Sequence, residues 1–251
     1  MRVAVCTIVY NEEAFIGGVI KNWKGKVEKH LILSSTRPWH GMSIPDDKTN
    51  KIARKLDVEL ITLPWASERS QRNWGLGYLY DYDYVLVVDA DELYEEQDQF
   101  KILEILGTNA GEFRVDNTNC YRIPQVVTYF KTPEYILDPP DSHEPLIAIN
   151  PKKATFQECR IPSQQYIVPI PSVKMHHLTF LRDDLRLWHK LHQFEHYNDV
   201  KPGWFENTWK RWTPDTKNVR ERGIVASKAV PATMPKEIRD LLEESIALTR
   251  E

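Results

Sequence analysis

Tyr84-Val85-Leu86-Val87-Val88-Asp89-Ala90-Asp91-Glu92 is the stretch on which the reading of this chain turns. Val85 to Val88 is an unbroken apolar run rich in β-branched residues. Such a run reads as a strand buried on both faces, as in a parallel sheet covered by helices. Two carboxylates follow it at once. In open parallel sheets ligands sit outside the carboxyl ends of the strands. An Asp-x-Asp there can hold a hard divalent cation, Mn²⁺ or Mg²⁺, against a diphosphate, because such ions prefer carboxylate and phosphate oxygens. In this reading only one of Asp89 and Asp91 points squarely at the metal. The bland alternative is a solvated acidic loop.

Upstream of this stretch, strands and helices alternate. Arg2 to Val9 reads as a strand, and Asn11-Glu12-Glu13 opens a helix through about Trp23, with its acids in the first turn. His30 to Leu33 reads as a strand, Lys48 to Leu56 as a helix, Val58 to Leu63 as a strand and Ser67 to Tyr80 as a helix. This order predicts an α/β fold with right-handed crossovers and a mostly parallel, Rossmann-like sheet flanked by helices. After Glu92 the alternation breaks. Glu112 to Val115, Cys120 to Phe130 and Leu146 to Ile149 read as strands, partly antiparallel, among the prolines Pro139-Pro140, Pro162 and Pro169 to Pro171. Arg182 to Tyr197 reads as a helix with Leu185, Trp188, Leu191 or His192, and Glu195 spaced along it. Pro235 to Leu248 reads as a last helix, with Ile238, Leu241, Leu242 and Leu248 near one face. The expected division is one domain over residues 1–200 and a Trp-rich, helical C-terminal extension over 201–251.

The 251 residues carry a formal net charge of −3, which disfavours a nucleic-acid-coating or membrane-surface role. No apolar run approaches the ~18 residues of a membrane span. Cys6, Cys120 and Cys159 form no disulfide framework and no Cys-x-x-Cys site, and the N-terminus enters a strand directly. A reducing, cytoplasmic location is the expectation. Trp204, Trp209 and Trp212 either line a sugar-stacking surface or fill a small core. His192-Gln193-Phe194-Glu195-His196 matches the His-x-x-Glu-His signature of a class of zinc peptidases. On a helix its two histidines would share one face.

Four features resemble the family 2 glycosyltransferases of the GT-A fold. A first strand ends in Tyr10-Asn11-Glu12-Glu13, and Arg72-Asn73-Trp74-Gly75 lies on the helix before the fourth strand. That strand ends in Asp-x-Asp, and His177-Leu178-Thr179-Phe180 precedes a later helix, as in small soluble members. The resemblance covers about residues 1–197. It implies inverting, non-processive transfer of a sugar from a nucleotide-diphosphate donor to an acceptor hydroxyl on a glycan, a lipid-linked intermediate, a protein or a modified nucleobase. It also implies that Val9, Tyr10, Asn11 and Glu12 touch nucleobase and ribose, and that Asp89 lies near ribose or metal. Asp91 and His177 would ligate the metal, and Arg69 or Arg72 would face the diphosphate. The chain differs from the family in ending its second strand with Ser34-Ser35-Thr36-Arg37 rather than acidic residues. Trp209-Lys210-Arg211-Trp212 lacks the leading Gln of processive polymerases.

Such a reaction needs a general base for the acceptor hydroxyl. Glu144, immediately before a strand, is the first candidate and Asp141 the second. Two other classes stay open. One is a zinc peptidase using His192, Glu195 and His196. The other is a non-catalytic nucleotide-sugar-binding module.

Overall fold

β1 (Val3–Val9) is buried along its whole length; all its residues but Thr7 are apolar, as a strand covered on both faces requires. Its side chains alternate with period two. Val3 and Val5 enter one core with α1 (Ile16–Trp23), whereas Ala4, Cys6 and Ile8 enter a second core on the opposite face. The chain continues through β2 (Lys29–Ser35), α2 (Thr49–Lys55), β3 (Glu59–Leu63), α3 (Glu68–Tyr78) and β4 (Tyr84–Val87). This computed structural model describes residues 1–109, 119–140, 142–164, 166–223 and 226–250. β5 (Glu92–Leu93), α4 (Glu96–Asn109), β6 (Cys120–Arg122), β7 (Gln125–Phe130), β8 (Thr132–Asp138) and β9 (Leu146–Ile149) come next. The rest comprises β10 (Phe156–Glu158), β11 (Ile161–Pro162), β12 (Val168–Pro169), β13 (Lys174–Phe180), α5 (Asp184–Gln193), β14 (Lys228–Pro231) and α6 (Lys236–Leu248).

The central sheet has the order β12-β6-β9-β4-β1-β2-β3. It is parallel except for β9, which runs against β4 and β6. The expected α/β architecture, a largely parallel Rossmann-like sheet flanked by helices, is the one observed. Strand order reverses between β1 and β4. That reversal opens a crevice at their carboxyl ends, the position where open α/β sheets hold ligands. A second sheet, β14-β8-β7-β13-β5, stands beside it. In it β13 pairs His176 with Leu93 and His177 with Glu92.

Several expectations need correction. α1 starts at Ile16, not at Asn11, because Asn11 adopts φ +52° and Glu12 to Phe15 form a separate turn. Glu12 and Glu13 therefore lie in the crevice wall and not in a helical first turn. Residues 120–130 are two strands in different sheets, and α4 was not expected. α5 buries Leu187 and Leu191, leaving Leu185 and Trp188 exposed. Residues 201–250 are not helical throughout, since β14 joins the second sheet beside β8. Trp204 and Trp209 are buried with Phe130 and Phe180, so they fill a core and present no stacking surface. The expected strand at residues 112–115 lies outside the described residues. So does Asp141.

Candidate active site

Tyr10 to Glu13 leave β1 at the crevice and are tied to the loop before α2. Asn11 Nδ2 donates to Pro45 O (3.1 Å), and its Oδ1 accepts from Asp47 N (3.2 Å). The Glu12 amide donates to Thr49 Oγ1 (2.7 Å) and the Glu13 amide to Asp47 Oδ2 (3.1 Å). The left-handed φ of Asn11 suits a short amide side chain that bonds locally. These ties hold the turn expected to meet a nucleoside.

Across the crevice, Asp89 faces α3. Arg72 Nη2 lies 2.7 Å from its Oδ1 and 3.0 Å from its Oδ2, while Arg72 Nε donates to Glu68 Oε1 (2.8 Å). Arg160, from the turn between β10 and β11, adds Nη1 at 3.2 Å from Asp89 Oδ2. It also grips Glu92 with both Nη nitrogens and donates to the Val87 and Leu146 carbonyls. Burial would raise the pKa of Asp89, but the charges of Arg72 and Arg160 overcome it and hold the carboxyl below its ordinary value. For Glu92 burial prevails, and its pKa is raised. Asp89 is the residue expected near ribose or metal, and its two oxygens meet the guanidiniums of Arg72 and Arg160. Arg72 is bonded to Asp89 and Glu68, and its buried Nη1 has no hydrogen-bond partner among the described residues. Arg69 Nη1 binds the Gln157 carbonyl (3.1 Å) at the surface.

Asp91 faces the other way, because residues 90 and 91 form a turn and do not continue the period of β4. Its Oδ2 accepts from Arg182 Nη2 (2.9 Å) and Lys190 Nζ (2.6 Å), and its backbone carbonyl accepts from Leu178 N (2.8 Å). Arg182 also holds Glu12 through both Nη nitrogens. His177 Nε2 lies 3.7 Å from Asp91 Oδ1. Burial alone would raise the Asp91 pKa; Lys190, His177 and Arg182 together drive it well below the usual carboxylate range. The adjacent His176 is structural. Its ring bonds Tyr129 Oη (3.0 Å) and Glu95 Oε1 (3.3 Å), and burial lowers its pKa.

Among the described residues, no three His, Cys, Asp or Glu side chains are grouped to hold a metal. Asp91 Oδ1 and His177 Nε2 are a two-donor pair. The carboxylate suits Mn²⁺ or Mg²⁺, with diphosphate oxygens and water filling the remaining positions, whereas the imidazole is a less usual ligand for either ion.

Glu144 stands before β9, whose start lies at the same sheet edge as the end of β4. It is ion-paired with Arg122 at 2.8 Å. The peptidase geometry is absent. α5 ends at Gln193 and Phe194 is extended, so His192 and His196 do not share a helix face. His192 Nδ1 bonds the Trp188 carbonyl (2.7 Å), and His196 pairs with Asp199.

Residues that the sequence reading missed are Glu92, Arg160, Arg182, Lys190 and Arg186, whose Nη2 donates to Glu13 Oε1 (2.7 Å). Glu92 directly extends the Asp-x-Asp and could have been taken with it. Arg182, Arg186 and Lys190 recur at helical spacing after the His177 segment, which is a usable signal. Arg160 carries none, since it reaches Asp89 from 71 positions away.

No protein-family model matches the chain, and no curated protein does. Among solved structures it is similar to glucosyl-3-phosphoglycerate synthase from Mycobacterium tuberculosis in complex with Mn²⁺, UDP and glucosyl-3-phosphoglycerate. The identity is 18%, over 51% of this chain and 44% of that one, with a TM-score of 0.36. The chain thus matches less than half the length of that protein.

Proposed function

We propose that this chain is a GT-A-type glycosyltransferase that moves a sugar from a nucleotide-diphosphate donor to an acceptor hydroxyl, non-processively and with inversion. One observation carries the reading. The Val9–Glu12 turn, Asp91, His177 and the cations Arg182 and Lys190 converge at the strand-order reversal between β1 and β4. The tied turn Val9 to Glu12 is suited to nucleoside contact. Asp91 and His177 would hold Mn²⁺ or Mg²⁺. Such an ion supplies Lewis-acid stabilisation of the departing diphosphate. Arg182 and Lys190 place positive charge beside the same position, where negative charge accumulates as the bond to the sugar breaks. Asp89, Glu92, Arg72 and Arg160 form a rigid floor that keeps the Asp89–Asp91 turn in place. Glu144 is the proposed base, accepting the acceptor's hydroxyl proton once its pairing with Arg122 is exchanged for the substrate.

The test is a screen of nucleoside-diphosphate sugars for thermal stabilisation and nucleoside-diphosphate release, with and without Mn²⁺. Metal-dependent stabilisation by one donor class, with turnover, supports the reading. Stabilisation without turnover on any acceptor points instead to a binding module. If no donor stabilises the protein or is cleaved, the proposal fails.

A further inference from the structure

The two cations on Asp91 differ in how firmly they are held. Arg182 Nε donates to the Thr179 carbonyl (2.9 Å), its Nη nitrogens grip Glu12, and its guanidinium lies 4.6 Å over the Phe15 ring. Its side chain is 5% exposed. Lys190, 26% exposed, meets Asp91 Oδ2 at 2.6 Å and Glu12 Oε1 at 3.5 Å. A compact ammonium on a flexible stem can leave such a contact, whereas a planar guanidinium locked by several partners cannot.

Charge favours the same distinction. Glu12 and Asp91 are two carboxylates balanced by Arg182 and Lys190. A divalent cation between Asp91 and His177, with Lys190 still in place, would leave excess positive charge in a poorly solvated site. We infer that Lys190 is an internal counter-ion that occupies Asp91 in the donor-free protein and yields it to the divalent cation. The freed ammonium then has the donor's diphosphate as its new partner. Metal and diphosphate would accordingly favour each other's binding. The inference rests on the proposed metal role of Asp91 and His177.

The experiment is Mn²⁺ binding followed by electron paramagnetic resonance, with no nucleotide present, on the wild type, Lys190→Met, Lys190→Gln and Asp91→Asn. Thermal melts check that each variant is folded. Removing the competing ammonium should tighten Mn²⁺ binding about tenfold in Lys190→Met and Lys190→Gln. Adding Asp91→Asn to either should abolish the gain. If the Lys190 variants bind Mn²⁺ no tighter than the wild type while Asp91→Asn loses it, Lys190 is no counter-ion, and the metal site stands. If Asp91→Asn leaves Mn²⁺ affinity unchanged in every background, the metal site itself is misplaced and the inference falls with it.

Discussion

Arg160 and Glu92 form a buried two-point ion pair, with Nη2 3.0 Å from Oε2 and Nη1 bound to Oε1. Their side chains are 9% and 3% exposed. The pair joins the turn between β10 and β11 to the acidic turn after β4. It therefore sets where Asp89 and Asp91 can stand. Arg160→Met should cost about 3–5 kcal/mol, because it strands a buried carboxylate. Chemical denaturation measures this, and a loss under about 1 kcal/mol would contradict the buried pairing. Glu92 protonation in the variant should relieve part of the cost at low pH.

Asp91→Asn should remove Mn²⁺-dependent donor stabilisation while the protein stays folded. Unlike a solvated loop acid, Asp91 is buried and accepts from Arg182 and Lys190. Its loss should therefore cost about 1–3 kcal/mol. Full donor stabilisation by Mn²⁺ in the variant would rule out the assignment of the metal to Asp91.

Glu144→Gln keeps the side chain's shape but cannot take a proton. With a productive donor and acceptor, it should lower kcat roughly 10²-fold or more and leave donor affinity nearly unchanged. A wild-type rate in the chemical step would place the base elsewhere, and Asp141→Asn is then the next variant.

Gly75, within the Arg72-Asn73-Trp74-Gly75 segment, packs α3 onto β1. A Cβ there would stand 2.6 Å from Cys6 Sγ and 3.0 Å from Leu33 Cδ1. Gly75→Ala should destabilise by about 1–3 kcal/mol through overpacking, despite alanine's better helix propensity. Adding Cys6→Ala should restore part of the loss. No recovery in the double variant would mean that the clash is with Leu33 or the backbone.

His30, on β2, bonds Thr7 Oγ1 through Nε2 (2.9 Å) and is held neutral by burial, with its pKa lowered to about 3. Between the ordinary histidine value and about 3, the unfolded chain binds a proton that the folded protein refuses. Stability is therefore complete above ~6.5 and falls as the pH drops below it, by up to about 1.4 kcal/mol per pH unit. His30→Leu should flatten this slope in unfolding measured from pH 7 to 5. An unchanged slope would show that other groups carry it.

The β/α alternation up to Asp91 was legible because each of those elements is specified locally. Val3–Val9 is apolar but for Thr7, Tyr84–Val87 is hydrophobic throughout, and Ser67 caps α3 with reciprocal bonds to Ser70. Period and capping act within a few residues, so a linear chain displays them. The phase of α5 was not legible, since Leu185, Leu187, Trp188 and Leu191 allow more than one apolar face. Contact with Phe130, Phe180 and Trp209 selects Leu187 and Leu191. Likewise, the sequence alone marks Asp89 and Asp91 as candidate carboxylates at the strand's carboxyl end but not their partners. Arg160 reaches Asp89 across 71 positions and Arg182 reaches Glu12 across 170. Ion pairs at such separations leave no local pattern, because their geometry exists only once the strands and both sheets have packed and removed the charges from water.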